Sequence, residues 1–286
     1  MKRRVLTFLL AAAAAVSCSD DREHMLKVYN WGDYIDEAML PEFEQWYLEQ
    51  TGEEVHVIYQ TFDINETMLA KIEKGKEDYD VVCPSDYIIE RMLQNRLLLP
   101  IDRDFGDTPN YIDAGLAPFI KRYFGMMEGD GLSANDYAVC YMWGTTGYLY
   151  NTKYVSREEV QSWGAMKNDK FIDKIFLKEA PRDVYAQTII YLRNEDVKAG
   201  RVTLDELMRD SSDENVALVE EYLKEMRYRV AGWEADFGKE QMAQEKGWVN
   251  LTWSGDAMFA MMSAEEMGIP LAYEVPQEGC AVWFAG

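Results

Sequence analysis

The chain has 286 residues, including 18 Tyr, 8 Trp and 11 Phe. That is a globular rather than a disordered composition, and enough chain for one large domain or two lobes, each with its own core. With 51 acidic and 29 basic residues the formal charge is -22; such a field repels nucleic acid and anionic headgroups and mildly favours cationic ligands.

The N-terminus opens with Lys2-Arg3-Arg4, continues as an alanine-dominated apolar run from Val5 to Val16, and reaches Ser17-Cys18. The run is too short to span a bilayer, so residues 1–17 read as an export signal. A cysteine just behind the apolar run, preceded by the small Ala15 and Ser17, resembles a bacterial lipoprotein cleavage site. Cys18 would then be the lipidated first residue of the mature chain, held at the periplasmic side of the cell envelope. Residues 18–25 form a short tether. The other cysteines, Cys83, Cys140 and Cys280, are odd in number and show no metal-ligand spacing, so they read as small buried thiols.

The first strand is expected at Leu26–Tyr29, and Tyr29-Asn30-Trp31-Gly32-Asp33-Tyr34 follows. Helical spacing from Glu37 to Glu49 puts Met39, Leu40, Phe43, Trp46 and Tyr47 on one apolar face, and Thr51-Gly52 stops it. A strand at Glu54–Tyr59, a helix from Asn65 to Lys74, a strand at Tyr79–Cys83 and a helix capped by Ser85 or Asp86 come next. This β-α-β-α-β-α order predicts a parallel sheet with covered faces. Residues 100–135 are looser and rich in Asp, Pro and Gly. Strands are then expected at Tyr137–Trp143, Gly147–Tyr150, Lys174–Leu177 and Trp248–Trp253. Helices are expected near Arg182–Asn194, Glu214–Met226 and Ala257–Met267, with a strand and turn over Leu271–Gly279 and another strand at Cys280–Phe284.

Catalytic motifs are missing: there is no GxSxG, CxxC, HExxH or phosphate-cradling glycine loop, and His24 and His56 are the only histidines. No cofactor or metal is expected. What recurs is an aromatic side chain beside an acid at a strand-to-helix corner or link. Trp31, Asp33 and Tyr34 form one such group, and Ser85, Asp86 and Tyr87 another. Three more are Arg182, Asp183 and Tyr185; Trp233, Glu234 and Asp236; and Trp253, Ser254 and Asp256. Strand ends are where open α/β sheets bind ligands. Ring faces attract an organic ammonium and a carboxylate takes its charge.

Seven short stretches, taken together, resemble the spermidine/putrescine-binding proteins that feed bacterial ABC importers. They are Tyr-Asn-Trp-Gly-Asp-Tyr at 29–34, Asn-Glu-Thr-Met at 65–68, Tyr-Asp-Val-Val at 79–82 with Pro-Ser-Asp-Tyr at 84–87, Tyr-Met-Trp-Gly-Thr-Thr-Gly at 141–147, Arg-Asp-Val-Tyr at 182–185, Trp-Ser-Gly-Asp-Ala at 253–257 and Pro-Gln-Glu-Gly at 276–279. The resemblance implies a two-lobed, hinged α/β fold, each lobe a mostly parallel sheet flanked by helices, that shuts on a polyamine in an interlobe cleft. The first lobe would span 26–138 and the second 139–275, with 276–286 returning toward the first. By matched position Trp31 and Tyr34 stack on the ligand's methylenes, Asp33 grips an ammonium, and Ser85 and Tyr87 line a wall. Asp183 takes an amine in the second lobe, beside Trp253 and Trp283. The implied partners are a polyamine and an ABC permease, with the protein acting as a monomer.

Two positions depart from the family pattern: Ala180 and Ala285 stand where the family carries acids, with Asp86 or Glu234 as substitutes. Family members also continue past residue 286, so the chain reads as C-terminally truncated. Other readings compatible with the residues are a carboxylate-based hydrolase and a binder or sensor for another small cationic ligand.

Overall fold

In the computed structural model, residues 22–75, 77–104 and 118–286 are described. The export signal, Cys18 and the start of the tether lie outside them. The chain divides into two compact units. The first runs to Tyr141 and takes in Ala285–Gly286; the second is Met142–Phe284.

In the first unit, β1 (Met25–Trp31) is the central strand of a three-stranded sheet, flanked by β2 (His56–Phe62) and β3 (Val81–Val82). Both pairings are parallel, and the register sets Trp31 beside Phe62 at the C-terminal edge. The helices Asn65–Glu73 and Asp86–Gln94 cover it, burying Met68 and Leu69 from one and Ile88, Ile89, Met92 and Leu93 from the other. These join Tyr29 and Phe62 in one core, and Tyr79 stacks on Tyr29 with centroids 4.5 Å apart. β3 is shorter than the expected Tyr79–Cys83 strand, although Asp80 N and Cys83 N still donate to the β1 carbonyls of Lys27 and Tyr29 at 3.0 Å.

The helix Met39–Thr51 ends at Gly52 as its spacing predicts, but it buries none of its residues. Met39 is 55% and Trp46 36% exposed. Apolar periodicity shows that a helix forms, not how completely its stripe is covered. The region read as loose holds a helix, Pro118–Met126, and a hairpin of β4 (Glu128–Gly129) and β5 (Leu132–Ser133). Its two-residue turn is Asp130-Gly131, both at positive φ (52° and 76°), the geometry Asp-Gly supplies at least cost.

The second unit is built on β6 (Met142–Asn151), one ten-residue strand where two shorter ones were expected. The sheet runs β10-β6-β9-β7-β8, with β7 at Ile175–Lys178, β8 at Gly232–Glu234, β9 at Val249–Trp253 and β10 at Leu271–Glu274. β7 is parallel to β8 and β9, while β6 is antiparallel to β9 and β10. β11 (Val282–Ala285) also pairs with β6. Tyr148, Leu149, Ile175, Leu177, Val249 and Leu251 are fully buried, with Trp163, Phe171 and Met226 completing the core. The last helix, Ser254–Glu266, turns inward Ala257, Ala260 and Ala264 and leaves Met258, Phe259 and Met262 exposed.

Among the described residues no helix is long and apolar enough to cross a membrane. Cys83 is buried and Cys140 and Cys280 half-buried, and all three are free thiols. Burial pushes Cys83 up to about 12 and Cys140 up to about 11, so neither is a thiolate at neutral pH.

Candidate functional site

In the first unit, β1 ends at Trp31 and the next residues leave the sheet through Gly32 and Asp33. Asp33 sits in the left-handed region at φ 58°, a conformation Asp tolerates better than most residues because its short side chain bonds locally. That backbone turn leaves the Asp33 residue exposed while Trp31 and Tyr34 stay half-buried on either side. The Trp31 ring lies 4.5 Å from Phe62 and 6.1 Å from Tyr34, and Tyr34 lies 6.3 Å from Tyr141. Tyr141 Oη donates to the Tyr34 carbonyl, tying the loop to the end of this unit's chain. The result is a row of rings beside one exposed carboxylate.

Ser85 and Tyr87 are brought together by a residue singled out only as part of a motif. Asn65, 6% exposed, donates from Nδ2 to Ser85 Oγ at 2.9 Å and to Tyr87 Oη at 3.1 Å, and its Oδ1 accepts from Ser85 N at 3.2 Å. Tyr87 Oη donates in turn to Glu66 Oε1 at 2.8 Å. Ser85 occupies the N-cap backbone position of its helix without a side-chain cap bond, because its hydroxyl serves Asn65. Asp86 accepts from Tyr87 N at 2.7 Å and from Tyr123 Oη at 3.0 Å. Ala285, where the family resemblance leads one to expect an acid, forms an antiparallel bridge with Ser85 and is 1% exposed.

In the second unit the hub is the start of β6. Thr146 Oγ1 donates to Asp183 Oδ1 at 3.4 Å, and Thr146 is the register partner of Trp253 across the β6–β9 pair. Asp183 lies in the first turn of the helix Pro181–Leu192, which has Pro at its first position and whose N-terminal dipole favours a carboxylate there. Thr145 N donates to Ser254 Oγ at 3.2 Å. Gly144 lets Trp283 lie against the strand: a Cβ there would be 2.5 Å from Trp283 Cζ2 and 2.6 Å from Ser254 Oγ. Asp183, Trp253 and Trp283 are therefore all ordered by three consecutive residues, Gly144-Thr145-Thr146.

Behind Trp253 lies a feature that sequence reasoning missed. Lys178, the last residue of β7, is 1% exposed. Its Nζ contacts Asp256 Oδ2 at 2.8 Å, the Ala235 carbonyl at 3.0 Å and Glu234 Oε1 at 3.1 Å, and stands 4.1 Å from the Trp253 ring centroid. Parallel register sets Lys178 opposite Glu234, and Gly238 N donates to Glu234 Oε2 at 3.0 Å. Burial pushes the Glu234 carboxyl up, against the downward pull of Lys178. Glu234 is thus committed to an internal ion pair, which removes it as a surface substitute for the acids missing at Ala180 and Ala285. Among the described residues no three His, Cys, Asp or Glu side chains are grouped to hold a metal.

No family model matches the chain. Its fold is that of the two-lobed periplasmic binding proteins. The Streptococcus pneumoniae spermidine/putrescine ABC transporter substrate-binding protein PotD superimposes with a TM-score of 0.65 at 27% identity, covering 92% of this chain and 71% of that one. By sequence the chain is a relative of the bacterial polyamine-binding periplasmic proteins. It is 25% identical over 300 residues to the putrescine-binding periplasmic protein PotF of Escherichia coli K12, which covers 99% of this chain and 74% of PotF. It is 27% identical over 295 residues to the putrescine-binding periplasmic protein SpuD of Pseudomonas aeruginosa UCBPP-PA14, covering 99% of this chain and 73% of SpuD.

Proposed function

We propose that this chain is the solute-binding component of a bacterial ABC importer and that its ligand is a polyamine. It binds and delivers, and does no chemistry on the ligand. The observation that carries this reading is similarity over 99% of this chain to polyamine-binding proteins, joined to aromatic-plus-acid clusters at strand ends in each unit. In the first unit the ligand-holding residues are Trp31, Asp33, Tyr34, Ser85 and Tyr87. In the second they are Asp183, Trp253 and Trp283.

A polyamine carries ammoniums separated by methylenes, so its site needs carboxylates for the charges and flat apolar faces between them. Asp33 and Asp183 are the acids in this assignment, and the rings of Trp31, Tyr34 and Trp283 take the methylenes. Ligand binding biases the equilibrium between forms of the protein by its differential affinity for them, which is what a permease reads. The Val5–Val16 run followed by Cys18 supports export to the cell envelope and retention there by a lipid on Cys18, and the protein is taken to act as a monomer.

A thermal-shift panel tests the ligand class. Putrescine or spermidine raises the melting temperature in proportion to the logarithm of its concentration above Kd, whereas amino acids and sugars leave it unmoved. A rise with a sugar or an amino acid, and none with either amine, contradicts the assignment.

A further inference from the structure

A fully buried lysine beside a ligand-assigned tryptophan is costly unless it is paired. Lys178 is paired: its Nζ donates to Asp256 and to the Ala235 carbonyl, lies 3.1 Å from Glu234 Oε1 as an ion pair, and its charge stands over the Trp253 ring at 4.1 Å. Lys178 is 1% exposed while Trp253 is only half-buried, so the ammonium approaches the ring from the interior side. A cation already resting on a π face weakens that ring for a second cation, both by polarising the ring and by direct repulsion across it. It also offsets one of the two negative charges, on Glu234 and Asp256, that would otherwise draw a ligand ammonium to this corner.

We infer that Lys178 is a specificity-determining residue: a built-in ammonium that reserves Trp253 for an uncharged stretch of the ligand and selects against amines carrying a charge there. This rests on the polyamine assignment above. The consequence is discrimination by charge count. A diamine is able to place its charges elsewhere and lay methylenes on Trp253. A triamine has an additional ammonium along its length and meets Lys178's field.

The test compares putrescine and spermidine by calorimetry on the wild-type protein, on Lys178→Met and on the doubly changed Lys178→Met/Asp256→Asn. The double variant removes one charge of each sign. It leaves a single carboxyl, Glu234, that burial already holds toward its neutral form, so it stays foldable if the single variant does not. The ratio of the two dissociation constants is expected to move about tenfold toward spermidine in the folded variants. Wild-type binding with an unchanged ratio in the folded variant overturns the role of Lys178 and leaves the polyamine assignment standing. No amine binding by wild type, but binding gained in the variants, supports the role of Lys178 and overturns capture as the native function. No amine binding by any form overturns both.

Discussion

The two units present their acids in opposite ways. In the first, Asp33 is held out on an exposed left-handed turn between rings. In the second, Glu234 and Asp256 are turned onto an internal lysine, and Asp183 remains at a helix N-terminus, held by Thr146. Equal numbers of carboxylates near aromatic rings therefore do not mean equal capacity for a cation. What matters is whether the carboxylate is presented at the surface or turned into the interior.

The largest expected effect comes from breaking that internal partnership. Lys178→Met strands Glu234 in the interior and should cost about 3–5 kcal/mol of unfolding free energy by urea titration. Arg22→Ala, which removes the exposed pairs to Asp78 and Asp80, is expected to shift the midpoint only slightly, and less still in high salt. Equal losses from the two changes would erase the contrast between a buried and a surface pair.

A smaller effect is expected at the β6 hub. Gly144→Ala drives a methyl into Trp283 and Ser254 and should cost about 1–3 kcal/mol, with an altered near-ultraviolet signal as the Trp283 ring moves. In the first unit Asn65→Ala leaves the Ser85 and Tyr87 hydroxyls without their shared donor, at about 1–2 kcal/mol, and weakens amine binding. Loss of stability with unchanged affinity would confine Asn65 to a structural part.

The smallest effect is a dependence on acid. Lys27, then Arg22, hold the Asp78 carboxyl well below its usual range, while Lys170 lowers that of Glu159 and Lys153 that of Glu245. For each, the folded state binds its proton later than the unfolded chain. Their contribution is complete above the ordinary carboxylate values of 3.8 for Asp and 4.5 for Glu and is lost as pH falls through the lowered ones. Glu234 has the opposite sign: raised by burial, it favours the folded state most below 4.5 and less as pH climbs. Local hydrogen bonds also lower Glu158, Glu206 and Asp210, so six lowered carboxyls against one raised one among the described residues predict a melting temperature that falls on acidification below about pH 4.

Much of the first unit was legible in its sequence. Alternation marks β1, Gly52 marks a helix end, and the Trp31-Gly32-Asp33-Tyr34 corner stands out because rings and an acid follow a strand. Asn65 did not stand out, since an Asn at a helix start reads as local capping while its real partners are 20 and 22 residues away. Lys178 was hidden for a related reason. A lone lysine at a strand end reads as a solvent-facing boundary, and only the β7–β8 register, through a three-residue strand too short to give a periodic signal, reveals Glu234 opposite it. The exposure of the Met39–Thr51 helix was likewise unreadable, because the spacing of apolar residues carries no record of what covers them.

The most direct measurement is a calorimetric titration of putrescine and spermidine into the wild-type protein and into Asp33→Asn and Asp183→Asn, one change in each unit. Polyamine capture predicts that the wild type binds at least one amine and that each substitution weakens it at least about tenfold, about 1.4 kcal/mol. Undiminished affinity in both variants, or no heat of binding from the wild type, would contradict it.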